Sequence, residues 1–382
     1  MMFITDTIKY IGCDDKTIDL FECQYPVPNG VSYNSYVILD DKIAVMDTAD
    51  PRVTDQWLAN LEKELNGRTP DYLVVSHMEP DHSGSIKIFL EKYPDVIVVG
   101  NAKTFPMMGQ FMDADLFENR KLVVAEGDKL SLGSHELTFV MAPMVHWPEV
   151  MVEYESTDKV LFSADGFGKF GALDVDEPWI DEARRYYLNI VGKYGASVQG
   201  LLKKAATLDI EKICPLHGPV LTENLQYYVN LYDVWSSYKP EEEGVLVVCA
   251  SIHGNTKKAA KLFVEKLEKK GVKTQFIDIT RESMSEAVAR AFYWDKMVCF
   301  ACTYDGGLFP PMGDFLHHLT AKAYQNRKVA FVENGTWAPQ AAKCMRSILE
   351  PMKNLTFVDT VVSIKSSLSD DSVLDVLVNE LQ

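Results

Sequence analysis

The chain lacks any apolar run near the roughly 18 residues that a membrane-crossing helix requires, so no spanning segment is expected. The opening stretch MMFITDTIKYIGCDDK turns acidic early and lacks the basic-then-apolar order of a secretory leader. Basic residues are outnumbered, 38 Lys and Arg against 55 Asp and Glu, for a formal net charge of −17. That balance argues against a nucleic-acid surface and fits a cytoplasmic protein kept monodisperse by its own charge. Cysteines number seven, odd and scattered, which argues for reduced thiols and against a disulfide framework. Cys299 and Cys302 do form a C-x-x-C, but it lies in the apolar KMVCFACT. That run reads as a buried strand, where positions i and i+3 face opposite ways. No second C-x-x-C completes a four-thiolate site, so no metal or redox role is expected for this pair.

Histidine is scarce too, eight in 382 residues, and its placement is informative. His77, His82, His146 and His217 each follow an apolar strand run, whereas His135, in the polar GSHE, reads as incidental. In HMEPDHSGS, residues 77–85, four groups able to hold a metal or a proton fall within six residues: His77, Glu79, Asp81 and His82. Pro80 stops the preceding YLVV strand from continuing as a ladder. Any one of these residues alone is better read as loop surface, with Ser83 as a helix cap. Together they read as a metal constellation, joined by His146 in MVHWPE, Asp165 in FSADGFG and His217 in CPLHGP. Four imidazoles and three carboxylates are too many for one ion and suit two, with one carboxylate bridging. An oxygen-rich set without thiolate leans away from zinc and towards iron or manganese. Two divalent ions would be close to neutralised by the three carboxylates and a bridging hydroxide.

The length suggests two domains, and the pattern divides them as 1–243 and 244–382, with the polar YKPEEE at 238–243 read as a linker. In the first, SYVILD, KIAVMDT, DYLVVSH, DVIVVGN, ELTFVMAP, VMVEYE, KVLFSAD and KICPLH read as strands. GSIKIFLEKY and one long segment from EPWIDEARRYY to LLKKAATL read as helices. The second domain repeats a β–α unit five times, which predicts an α/β doubly wound five-stranded parallel sheet.

Between its first strand and helix lies ASIHGNT, where Ser251, Ile252, His253, Gly254, Asn255 and Thr256 make a phosphate loop without the G-K-[ST] of the nucleotide P-loop. It resembles the FMN phosphate loop of flavodoxins. Two more loops leave strand ends at the expected crevice. Thr303, Tyr304, Asp305, Gly306 and Gly307 begin TYDGGLFPP; Asn334, Gly335, Thr336, Trp337 and Ala338 form the start of ENGTWAPQ after Glu333. Both are placed to wrap an isoalloxazine ring with backbone donors. Trp337 offers an aromatic face near the ring and reads equally well as a surface tryptophan. The third loop, ENGTWAPQ, departs from the usual G-x-x-G-W form.

H-x-E-x-D-H followed by His146, Asp165 and His217 resembles the metallo-β-lactamase-like domain of flavodiiron proteins. The hydrolases of that superfamily carry H-x-H-x-D-H, so Glu79 marks the flavodiiron branch. SYNSY at 32–36, HWPE at 146–149 and GGLFPP are similar to the family as well. The resemblance covers the whole chain. It implies an αββα sandwich followed by a flavodoxin-like domain, without fused rubredoxin or flavin reductase modules. It implies FMN and two irons per chain, with His77, Glu79 and His146 on one iron, Asp81, His82 and His217 on the other, and Asp165 between them. A diferrous pair and a reduced flavin together hold four electrons. Dioxygen needs four to become two waters, and two nitric oxides need two to become nitrous oxide. The resemblance therefore implies an oxygen and/or nitric oxide reductase, with rubredoxin or a similar carrier as donor. It also implies a head-to-tail homodimer, alone or doubled, that brings one chain's FMN to the other's irons. The competing readings are a zinc hydrolase of thiolesterase type with a flavin domain, and a flavin electron carrier with a vestigial metal site. Glu79 opposes the first, and the full ligand set opposes the second.

Overall fold

The computed structural model describes residues 4–382; the first three residues of the N-terminal stretch lie outside it. Two compact units are present, one of residues 1–187 and 194–233, the other of 188–193 and 234–382.

The first unit is built on two mixed sheets. One runs in the order Ile8–Tyr10, Tyr36–Ile38, Ala44–Met46, Tyr72–Val74, Ile97–Asn101, Lys121–Val124. The other runs Lys129–Ser131, Glu136–Met141, Met151–Glu155, Val160–Phe162, Lys212–Cys214. Side chains alternate along each strand, so one face of each sheet turns inward. Ile8, Tyr36, Ile38, Met46, Val74 and Val99 of the first sheet share a core with Leu137, Phe139, Met151, Val160 and Phe162 of the second. This is the expected αββα sandwich, and all eight strands read from sequence are in it. The short partners Ile8–Tyr10, Lys121–Val124 and Lys129–Ser131 were not among them. The long predicted helix is broken. It runs as Trp179–Ile190, a 3-10 turn Gly192–Tyr194 and a second helix Gly195–Ala205, because glycines 192 and 195 weaken helix propagation between two amphipathic stretches.

The second unit holds the expected five parallel strands, in the order Thr274–Asp278, Glu242–Ala250, Trp294–Tyr304, Lys328–Asn334, Thr356–Ile364, with a two-residue strand Gly307–Leu308 added antiparallel to Trp294–Tyr304. The switch point falls between Glu242–Ala250 and Trp294–Tyr304, the strands whose connections leave in opposite directions. The YKPEEE stretch is less of a linker than its composition implies. Glu242 pairs with Trp294 at the start of the central strand. The N–H of Glu241 donates to the Tyr293 carbonyl at 2.9 Å. This segment falls within the second unit, of residues 188–193 and 234–382. Among the described residues no helix is long and apolar enough to cross a membrane.

Candidate diiron centre and flavin cleft

The strand Tyr72–Val74 delivers the metal motif. Beyond it, the Ser76 N–H donates to Asp47 Oδ1 at 2.8 Å, which holds the departing chain. Glu79 stays extended, and Pro80 opens a one-turn helix, Pro80–Ser83. The fixed φ of proline suits that first helical position, and its missing N–H costs nothing there. His77 and Glu79 thus lie before the turn, Asp81 and His82 within it. Asp165 follows Val160–Phe162, His217 follows Lys212–Cys214, and His146 sits in the loop between Glu136–Met141 and Met151–Glu155.

All seven side chains converge. His77, Glu79, His146 and Asp165 form one group, and Asp81, His82 and His217 another. Glu79 Oε2 is 3.2 Å from His77 Nε2 and 3.0 Å from His146 Nε2. His217 Nε2 is 3.1 Å from His82 Nε2 and 3.2 Å from Asp81 Oδ2. Asp165 faces both groups. Its Oδ2 is 3.3 Å from His77 Nε2 and 3.0 Å from His146 Nε2, while its Oδ1 is 3.3 Å from His82 Nε2 and 3.9 Å from His217 Nε2.

Neighbouring groups fix the rings. His77 Nδ1 donates to Glu149 Oε1 at 2.9 Å and His217 Nδ1 to the Ser32 carbonyl at 2.7 Å, so in both rings Nε2 points into the site. Glu149 also accepts the Met78 N–H at 2.8 Å. The sequence shows Glu149 only as the last residue of HWPE; the strand-end pattern that marks ligands does not mark their supports.

The donor set fits a metal pair. The carboxylate oxygens of Asp81 and Asp165 are buried and take no hydrogen-bond donor. Buried polar atoms are ordinarily paired; here they surround the position an ion would take. Protons substitute in part. Burial alone would lower His146, but the adjacent carboxylates of Asp165 and Glu79 raise it to about 9. His77 is raised further against the same burial, chiefly by Asp165 and Glu149. Burial would raise Asp165, but the surrounding imidazoles hold it well below the carboxylate range. Aromatic rings enclose the histidines. Phe21, Tyr33 and Tyr186 lie 5.4, 6.0 and 5.4 Å from His217, and Trp147 lies 5.2 Å from His77, centroid to centroid.

The second unit carries a cleft of about 580 Å³ at its switch point, a size that suits a nucleotide cofactor. Ser251, Ile252, His253, Asn255 and Thr256 line it, with Thr303 to Gly306 and Asn334 to Ala338. Gly254 and Gly307 do not line it. Gly254, at φ +86°, makes the left-handed turn into the helix Asn255–Lys269, its N–H donating to Ser251 Oγ at 3.0 Å. Gly307 begins a two-residue strand, because the second loop is a hairpin. Thr303 and Tyr304 pair with Leu308 and Gly307, and Asp305 and Gly306 both take positive φ as a two-residue turn demands. Trp337 is 90% exposed at the rim. Two lining residues went unread, Cys302 and Ser366. Asn334 clamps Ser366, its Oδ1 accepting the Ser366 N–H and its Nδ2 donating to the Ser366 carbonyl, both at 3.0 Å.

Comparison with known proteins agrees with this architecture. Residues 31–218 match the family described as ODP family beta lactamase. An anaerobic nitric oxide reductase flavorubredoxin of Vibrio vulnificus is 27% identical, over 87% of this chain and 70% of that protein. The flavodiiron protein of Giardia intestinalis superposes with a TM-score of 0.93 at 21% identity, covering 99% of this chain and 95% of the other. The rubredoxin oxygen:oxidoreductase of Desulfovibrio gigas superposes with a TM-score of 0.91 at 23% identity, covering 99% and 98%.

Proposed function

The chain belongs to the flavodiiron proteins and is an oxidoreductase, and from that premise we propose that it reduces dioxygen to water and/or nitric oxide to nitrous oxide. Its cofactors are FMN in the switch-point cleft and an iron pair on the seven ligands, His77, Glu79 and His146 on one side, Asp81, His82 and His217 on the other, with Asp165 between. When bound, the irons would bind and polarise the gas while FMN relays electrons from a carrier such as rubredoxin. A cytoplasmic head-to-tail homodimer completes the reading, since it brings one chain's flavin to its partner's metals.

The observation that carries this reading is Glu79. Its carboxylate sits between His77 and His146 where the related hydrolases place a third imidazole, and it adds the anionic oxygen that an oxidisable metal pair needs and a zinc hydrolase does not. The residues do the rest by position. Glu149 and the Ser32 carbonyl orient His77 and His217. Asp165 spans both ligand groups with one oxygen each. Phe21, Tyr33, Tyr186 and Trp147 surround the imidazoles with apolar faces, which favours a small gas over a hydrated ester and limits water near the metals.

The test is Glu79→His, compared with the unchanged protein for metal content, flavin content and anaerobic consumption of both gases. The variant should take up zinc more readily, hold iron less well and lose gas reduction steeply, with flavin content and flavin reduction intact. Full iron and undiminished turnover in the variant would remove Glu79 from the ligand set. Hydrolase activity without gas reduction in the iron-loaded wild type would overturn the reading as a whole.

A further inference from the structure

His135, incidental in the sequence, is only 4% exposed and lies among carboxylates. Its backbone N–H and its Nδ1 both lie 2.7 Å from Asp40 Oδ2. With Nδ1–H donating to Asp40, Nε2 presents a lone pair. A carboxylate behind one ring nitrogen, leaving the second to accept a donor or a metal, is the arrangement that metal-binding histidines share.

Nε2 faces Thr7 Oγ1 at 3.0 Å and Asp158 Oδ2 at 3.5 Å. His135, Glu155 and Asp158 each place a ligand atom within 4.8 Å of the other two. Two ligands about 2.1 Å from a tetrahedral zinc ion are about 3.4 Å apart, close to the spacing between Nε2 and Asp158 Oδ2. Glu155 is fully buried, its carboxylate aimed by the N–H groups of Thr157 at 2.8 Å and Asp158 at 2.7 Å. The Asp158 side chain is 30% exposed and gives an ion a way in. Charge points the same way. Asp40, Glu155 and Asp158 bring three carboxylates to one imidazole, while the adjacent Lys159 is turned to Asp209 and Glu211 at 2.7 and 2.8 Å.

We propose that His135, Glu155 and Asp158 form a separate mononuclear zinc site, with the Thr7 hydroxyl or a water as fourth ligand. The contributors come from the N-terminal segment, the turn at Asp40, the turn at Ser134 and the turn after Met151–Glu155. The ion therefore acts structurally, tying edges of both sheets together at a place unrelated to the paired ligands.

The test uses the iron- and flavin-loaded protein, titrated anaerobically with zinc against a chromophoric chelator, with iron counted before and after. The wild type should bind one further zinc per chain with no loss of iron, and zinc should raise its thermal midpoint. Asp158→Asn should weaken that zinc at least tenfold and abolish the thermal shift while iron and flavin stay in place. His135→Gln should do the same, and the partly exposed Asp158 keeps the test decisive if the buried change impairs folding. Zinc that enters only as iron leaves, absence of a further equivalent, or an adventitious ion only, bound equally by wild type and Asp158→Asn, would each overturn the proposal.

Discussion

The Glu149 carboxylate lies 2.9 Å from His77 Nδ1, so the first imidazole of the metal motif is aimed from 72 residues away in the chain. Removing the carboxylate should cost metal affinity without touching a ligand. Glu149→Gln should weaken iron binding by about 10–100-fold, the usual range for a lost supporting carboxylate. Chelator competition reads the loss, and flavin content should not move. Unchanged iron affinity would mean that His77 holds its orientation without Glu149.

Metal loading should release protons, and its affinity should climb with pH. His146 is raised to about 9 and His77 well above the usual imidazole range, which favours the protonated form of both before a metal binds. Each must give up its proton to become a ligand. Every pH unit below about 9 should therefore change the apparent affinity by up to about tenfold per proton released. Anaerobic ferrous titrations at pH 6, 7 and 8 in weak buffer measure both quantities. A flat profile with no acid release would contradict the protonated pair.

Glu153 is fully buried beside Asp47, with the Ser76 hydroxyl at 3.0 Å as the partner of one oxygen and no partner for the other. Burial first, then the Asp47 charge, raise it well above the ordinary range. The folded state then keeps a proton that the unfolded state loses above the usual glutamate value. Stability contributed by this group falls as pH rises through that window, at about 1.4 kcal/mol per unit. Glu153→Gln should remove that slope. Urea unfolding of the two proteins from pH 5 to 8 should show the variant gaining on the wild type as pH increases. Parallel curves would mean that Glu153 is ionised in the fold.

Asn255 is the first residue of the helix that opens the flavin cleft. Asn255→Asp should place a carboxylate against the flavin phosphate and weaken FMN binding by about tenfold or more, leaving iron in place. Flavin retained through dilution and gel filtration at wild-type levels would move the phosphate elsewhere.

The seven converging side chains were legible because ligand chemistry needs rare residues at strand ends, and both features are local. Histidine scarcity did most of that work, and it misled at one point. His135 looked incidental because its partners Asp40, Glu155 and Asp158 lie in turns of ordinary polar composition. Ser366 escaped notice for the same reason. It joins the cleft through Asn334 and Thr336, 32 and 30 residues away. The parallel sheet was readable because each buried strand is an unbroken apolar run. The edge strands Ile8–Tyr10 and Lys121–Val124 are short and carry lysine, and they exist because a neighbour pairs with them. The second flavin loop hid a hairpin, since its return strand Gly307–Leu308 is only two residues long and its turn signal, Asp305-Gly306, sits inside a glycine-rich run.

His82 and His217 bring their ring nitrogens to 3.1 Å across 135 residues of chain. Contacts of that span close late in folding. At about 5–20 residues per second, synthesis takes roughly ten seconds to carry the ribosome from one histidine to the other. During that interval the emerging chain offers a linear chelator of His77, Glu79, Asp81 and His82, with no partner to impose a choice of ion. Which ion is finally held is then decided once His217 has been made, by whichever ion survives the closing of the second sheet. Growth in zinc-rich medium should leave its mark in the order of events, with early zinc trapped in chains that fold fast and iron gained by those that fold slowly.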